Sequence, residues 1–289
     1  MKRWAYTLIA SAGFIWGLIG FFVEGLYAIG FSPIQIVSLR VMSAAVIMLS
    51  YLLITDRSLL KINIGDCKYF VGTGIFSFVF FNWLYFITIK ETSVSVAAIL
   101  LYTAPAFVTI ISRVTFKESL TPKKISSLIL TFTGCILVAG YFPNTDWKVS
   151  TFGILIGLLA GFGDALYSIF GKSALEKYHP LTIITYTFTF AGIALLPFSG
   201  FWNSMELFHE VEGWYYIISV GLFPTALAYI LYTKGLSYVE SSKAAITATV
   251  EPVVATIVGV LILGEILTYW QMAGVILVLG AVIMVQERE

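Results

Sequence analysis

Ten stretches of mainly apolar residues follow one another along the chain, at roughly 4–24, 33–54, 69–89, 94–115, 124–142, 151–171, 181–201, 212–233, 241–263 and 268–286. Each has about the 20 residues that a helix rising 1.5 Å per residue needs to cross the hydrocarbon core of a bilayer. Between them lie turn signals such as Ser32-Pro33, Glu91-Thr92-Ser93, Thr121-Pro122, Pro143-Asn144-Thr145-Asp146 and His179-Pro180. Only 11% of residues are charged, against about 25% in soluble domains, too few to cover the surface in water. The expected fold is therefore all-α and integral to the membrane, with ten transmembrane helices. In 289 residues this leaves no room for a soluble catalytic domain. Lys2 and Arg3 before the first stretch resemble the basic start of a signal peptide, but the length of the stretch, the following Glu24 and nine later crossings favour a retained helix.

The cationic residues give the orientation. Fourteen Lys and Arg, from Lys2 and Arg3 to Lys243 and Arg288, fall at one side of a ten-helix chain; Lys90 and Lys148 fall opposite, and Arg40 lies inside a helix. Basic residues concentrate in cytoplasmic loops, so both termini are expected in the cytoplasm of a cell (plasma or inner) membrane.

The chain also repeats itself. An offset of 147 residues pairs Tyr69 with Tyr216, Gly74 with Gly221, Pro105 with Pro252 and Glu118 with Glu265, and carries Ala97-Ala98-Ile99 onto Ala244-Ala245-Ile246. An offset of 148 pairs Gly13-Phe14 with Gly161-Phe162. Residues 1–145 and 146–289 thus read as two five-helix repeats. Five is odd, so the second repeat inserts inverted. Inverted repeats are a common transporter design, though channels use them too, and the expectation is movement of a small molecule across the membrane.

Particular residues of the repeat resemble a known family. Gly13-Phe14-Ile15-Trp16-Gly17, Pro33 with Arg40, and Tyr102-Thr103-Ala104-Pro105-Ala106-Phe107-Val108 leading to Lys117-Glu118 are similar to the EamA family of the drug/metabolite transporter superfamily. So are Glu251-Pro252-Val253-Val254-Ala255, Leu263-Gly264-Glu265 with Leu267-Thr268, and Gln271 with Gly274 and Gly280. The resemblance implies ten helices with cytoplasmic termini and secondary transport, often efflux, of amino acids, related metabolites, nucleosides or toxic compounds. Asp164, repeat-equivalent to Trp16, departs from the apolar or small residue expected there.

An ionisable group at bilayer depth is costly and so is read as functional by default. Glu251 precedes the helix-breaking Pro252, with Ala244, Ala248 and Ala255 on its face; it reads as a cation or proton site, or as a structural carboxylate. Asp164 lies among Gly157, Ala160, Gly161, Ser168 and Gly171, as a substrate-amine or proton site or as glue between tightly packed helices. Arg40 is suited to a substrate carboxylate or, equally, to holding its helix in place. Trp16, Asn82, Tyr85, Tyr102 and Tyr232 lie deep enough to wall a cavity for an organic cation or apolar side chain, or simply to pack. Trp4, Trp147, Trp214, Tyr215 and Trp270 belong at the interfaces. Glu118 and Glu265 are expected to fix loop geometry, and Glu206, His209, Glu210 and Glu212 to form a solvated external loop.

Several classes are disfavoured. His179 and His209 both lie in loops, so an intramembrane enzyme lacks a base; Cys67 and Cys135 have no metal or disulfide spacing; a net charge of +1 offers nothing to nucleic acid. No nucleotide-binding loop is present, so no cofactor is expected and energy would come from gradients. The reading is a secondary active transporter, a monomer or homodimer, exporting an amino acid or related zwitterionic or cationic compound by alternating access. Its substrate lies near Asp164 and Glu251, with a proton or counter-substrate coupled. The alternatives are an importer of a quaternary ammonium or nucleobase-like compound and a ligand sensor that transports nothing.

Overall fold

The computed structural model describes residues 2–139, 150–263 and 268–286, which are all-helical with no strand among them. Nine of the described helices are long and apolar enough to cross a membrane. In chain order the elements are α1 (Arg3–Ile29), α2 (Pro33–Thr55), α3 (Ile64–Glu91), α4 (Val94–Thr115), α5 (Pro122–Val138), α6 (Thr151–Ala174), α7 (Pro180–Phe198), α8 (Val211–Leu236), α9 (Ser241–Leu261) and α10 (Tyr269–Gln286). The 17-residue α5 lies where the fifth crossing was expected and is the one helix outside the nine. Trp147, Lys148, Gly264, Glu265, Leu267, Arg288 and the 145/146 boundary lie outside the described residues. Trp4, Trp214, Tyr215 and Trp270 are exposed on the described surface, as interfacial anchors are.

The main helix contacts run between the halves. α1 packs on α8 and α9, and α6 packs correspondingly on α3 and α4. α2 meets α7 and α8, α7 meets α2 and α3, and α5 lies along α10. Exchanging the first five helices for the last five maps these pairings onto themselves.

Local irregularities repeat in the same way. α4 is interrupted between Leu101 and Ala104, α9 between Ala248 and Val250. Each interruption begins at the residue whose carbonyl would have bonded the missing N–H of Pro105 or Pro252 four residues on. A glycine of the opposite half closes on each one. A Cβ at Gly13 of α1 would stand 2.6 Å from the Ala248 carbonyl oxygen, and one at Gly161 of α6 would stand 2.9 Å from that of Leu100. α3 and α8 each contain a stretch of π-helix, Gly72–Val79 and Leu222–Leu227, at repeat-equivalent positions. Such turns cluster at functional sites.

The π stretch of α3 is tied to α7 by a buried hydrogen bond of 2.6 Å between the Thr73 and Thr187 hydroxyls. Thr73 also reaches the Phe70 carbonyl oxygen at 3.3 Å, whereas the Thr187 hydroxyl has no second partner among the described residues. Thr73→Val is therefore expected to lower stability by about 1 kcal/mol, because it strands the Thr187 hydroxyl, with Thr187→Val milder. In melting measurements the double Val variant should lose less than the two single losses added. Additive losses would mean the hydroxyls do not act as a pair.

The two ends of the bundle are not alike. The first segment of α9, Ser241–Ala248, packs against Ala104–Thr115 of α4, and nearly all its residues are buried. The repeat-equivalent segment Val94–Leu101 buries only Val96 and Ala97, and shows no comparable packing on the described part of α9 beyond the break. This packing fastens the halves at the lysine-rich end, where Lys117, Lys172 and Lys243 lie; at the other end they meet through different residues, with Gln35 Nε2 donating to Ser204 Oγ at 3.0 Å and Trp83 packing on Phe198.

Candidate functional site

Arg40 of α2 sits where the two π stretches face each other. Its Nε donates to Thr225 Oγ1 of α8 at 2.8 Å, and its guanidinium carbon lies 5.2 Å from the ring centre of Phe78 of α3. Phe78 and Thr225 are repeat equivalents at the 147-residue offset, so Arg40 bridges matching points of the two halves. The Thr225 hydroxyl in turn donates to the Val220 carbonyl five residues back, a carbonyl of the π turn. Among the described residues only one of the five guanidinium N–H groups is used in this way.

Glu251 and Asp164 approach from α9 and α6. Glu251 lies within electrostatic reach of both Asp164 and Arg40. Neither carboxylate forms an ion pair or hydrogen bond among the described residues, and both side chains are half-buried rather than sealed in the core. A carboxylate left without donors inside a bundle is expensive unless it faces water or a ligand. Among the described residues Arg40 likewise has no carboxylate within ion-pair distance.

Aromatic rings close the space around these charges. Trp16 of α1 packs edge-on to Tyr229 with centroids 5.1 Å apart, and is 5.4 Å from Tyr232. Tyr229 is 4.9 Å from Tyr167 and 6.0 Å from Phe78, and lies near Arg40, Asp164 and Glu251. Tyr232 shares a 2.6 Å hydrogen bond with Ser168, one turn beyond Asp164, and Tyr167 shares one of 2.6 Å with Thr233. The indole N–H of Trp16 is buried without a hydrogen-bond partner among the described residues. Tyr85 and Tyr102 both lie in reach of Glu251. Tyr102 occupies the break in α4, where it lines a cavity of about 170 Å³ with Thr103, Pro105 and Thr131.

Of the residues picked from sequence, Arg40, Asp164, Glu251, Trp16, Tyr85, Tyr102 and Tyr232 thus converge, and Pro105 and Pro252 sit beside them at the two breaks. Asn82 is set apart by its bonding: its buried amide donates to the Phe78 carbonyl at 2.7 Å, one turn back in α3. Sequence reasoning missed Phe78, Tyr167, Thr225 and Tyr229, and named Ser168 only as a neighbour of Asp164. The repeat held a signal for two of them, since Phe78 and Thr225 fall on each other, but unlike residue types hid the match.

Residues 3–140 and 151–286 each match the EamA-like transporter family. The chain belongs to that family. Two proteins of Archaeoglobus fulgidus, each described as an uncharacterized transporter, are similar to it. One is 32% identical over 74% of this chain and 74% of its own, and the other 30% identical over the whole of both. A crystal structure with 16% identity matches the fold at a TM-score of 0.75, covering 97% of this chain and 96% of that one. An EamA-like chain of this kind is a multi-pass membrane transporter for a small molecule. The charged, aromatic-lined space between its halves is the candidate site for that molecule.

Proposed function

We propose that this chain is a secondary active transporter that exports a zwitterionic or cationic metabolite, such as an amino acid, by alternating access. The observation that carries this reading is the trio of Arg40, Asp164 and Glu251. One cation and two anions stand unpaired with one another deep among aromatic rings, in reach but not in contact. A zwitterion supplies both missing partners: its carboxylate meets the free edge of the Arg40 fork, and its ammonium meets Asp164 or Glu251. Trp16, Tyr85, Tyr102 and Tyr232 then pack its side chain. Whichever carboxylate the ammonium does not occupy is available to carry a proton. The halves are taken as residues 1–145 and 146–289, inverted across a cell membrane with both termini in the cytoplasm. The close packing of Ser241–Ala248 on α4 at the lysine-rich end supports a state closed on that side, one of the two that alternating access needs.

A quaternary ammonium importer is the second reading, favoured by the Trp16–Tyr229–Tyr232 cluster near Asp164, since cations seat well over such rings. Arg40 weighs against it, because a permanent cation offers nothing to a guanidinium.

A thermal-shift screen of amino acids, quaternary amines and nucleobases tests both, because a ligand at 100 times its Kd stabilises the folded state by about 2.7 kcal/mol. Hits should then accumulate in proteoliposomes with time and respond to an imposed pH gradient. Binding without accumulation would make the protein a sensor, and a response confined to quaternary amines would favour the second reading.

A further inference from the structure

The seal at the lysine-rich end has a specific fastening. Lys117, with φ of 57°, takes the left-handed conformation that side chains rarely adopt, and turns the chain after α4 back on itself. Glu118 is thereby swung across the gap to the other half. Its buried carboxylate accepts from the Ser241 backbone N–H at 2.6 Å, the Ser242 N–H at 3.2 Å and the Ser242 hydroxyl at 2.5 Å, and from Ser112 of its own half at 3.2 Å. The first N–H groups of α9 have no partner within their helix, so a carboxylate there satisfies them and meets the positive end of the helix dipole.

A second contact backs the first. Lys124, 1% exposed, stands 3.8 Å from Glu118 and pairs with Glu240 at 3.0 Å. Burial pushes the Glu240 carboxyl up, but the ammonium groups of Lys124 and Lys243 outweigh it and hold the group below the usual carboxylate range. Glu240 is therefore ionised at neutral pH.

The repeat-equivalent helix end is capped differently. At the start of α4, Val96 N–H bonds the hydroxyl of Ser93 of its own turn at 3.2 Å. The start of α9 is thus fastened across the halves, while the start of α4 carries a cap of its own turn; Glu265, the counterpart of Glu118, lies outside the described residues. Ser93 and Glu240 occupy the same place in the repeat, but Glu240, unlike Ser93, makes no side-chain bond to its own helix and is paired with Lys124 and Lys243 instead.

We propose that Glu118 is the latch that holds the lysine-rich end shut, and that its withdrawal from Ser241 and Ser242 is the step that opens the site to that end. This rests on the alternating-access reading above. Glu118 acts by positioning the halves and touches no substrate.

The test is the access of a water-borne maleimide to a cysteine placed at Ala245, which is buried where α9 meets Ala104 and Val108 of α4 and Ala165 of α6. The full-length Ala245→Cys protein is compared in lipid nanodiscs with the chain lacking that substitution, which serves as the blank for Cys67 and Cys135. Adding Glu118→Ala should raise the labelling rate at least about tenfold. Ser242→Ala, which removes one donor and keeps the backbone ones, should raise it less and serves if Glu118→Ala does not fold. Ser93→Ala, at the other end, should leave it unchanged. Labelling that stays at the parent rate in both latch variants overturns the proposal, as does an equal rise with Ser93→Ala, which would mean general loosening. Labelling reads opening and not flux, so a latch that opens in a protein carrying nothing would refute the transport reading alone.

Discussion

Glu251→Gln is expected to slow transport on the order of a hundredfold, equivalent to about 3 kcal/mol, the scale at which one member of a desolvated charge arrangement matters. The substitution keeps shape and removes charge, so the helix break at Pro252 and the contact with Gly17 of α1 stay in place. Asp164→Asn should do the same from α6. The two variants are distinguishable. The residue that meets the ammonium weakens binding in the thermal-shift assay when neutralised. The residue that carries the proton leaves binding intact and abolishes the response of flux to a pH gradient. Arg40→Lys keeps a cation but loses the planar fork and the Nε contact to Thr225, and should weaken carboxylate-bearing ligands while sparing quaternary amines. Unchanged binding and unchanged pH response in both carboxylate variants would sink the site.

Gly13→Ala and Gly161→Ala are expected to destabilise the protein by about 1–3 kcal/mol each, although alanine is the better helix former. The new methyl carbon would meet the Ala248 carbonyl oxygen at 2.6 Å in one case and the Thr103 hydroxyl at 2.6 Å with the Leu100 carbonyl at 2.9 Å in the other. Backbone is hard to displace, so the halves must part at the helix breaks. Gly20→Ala in the same α1 is the control, since nothing lies within 4 Å of its added carbon. It should be neutral or stabilising by up to about 1 kcal/mol. If all three variants melted together, the close approach of α1 and α6 to the breaks would not be a source of stability.

Much of this arrangement is legible in the sequence, and the reason differs from residue to residue. Pro105 and Pro252 declare their effect locally, since each removes an N–H and crowds the carbonyl four residues back, and the breaks fall at Leu101 and Ala248 accordingly. Asp164, Glu251 and Arg40 stand out because charge inside an apolar run has few explanations. The π stretches left no such mark: helical periodicity is hard to see where most faces are apolar, and a one-residue slip in it is harder still. Thr225 as the partner of Arg40, and Ser241 with Ser242 as the partners of Glu118, lie 185 and more than 120 residues away, and only the fold brings them together. Glu118 was expected to shape its own loop. It does so through Lys117, but its carboxylate is used chiefly on the other half.

The exchange of partners between halves bears on how the chain is made. α1 finds its main contacts on α8 and α9, which leave the ribosome last but one helix, and α2 finds much of its own on α7 and α8. The first five helices therefore enter the bilayer with their most polar and most closely fitting surfaces, Arg40 and Gly13 among them, still waiting. Lipid or an insertion factor must shelter these surfaces until synthesis is almost complete.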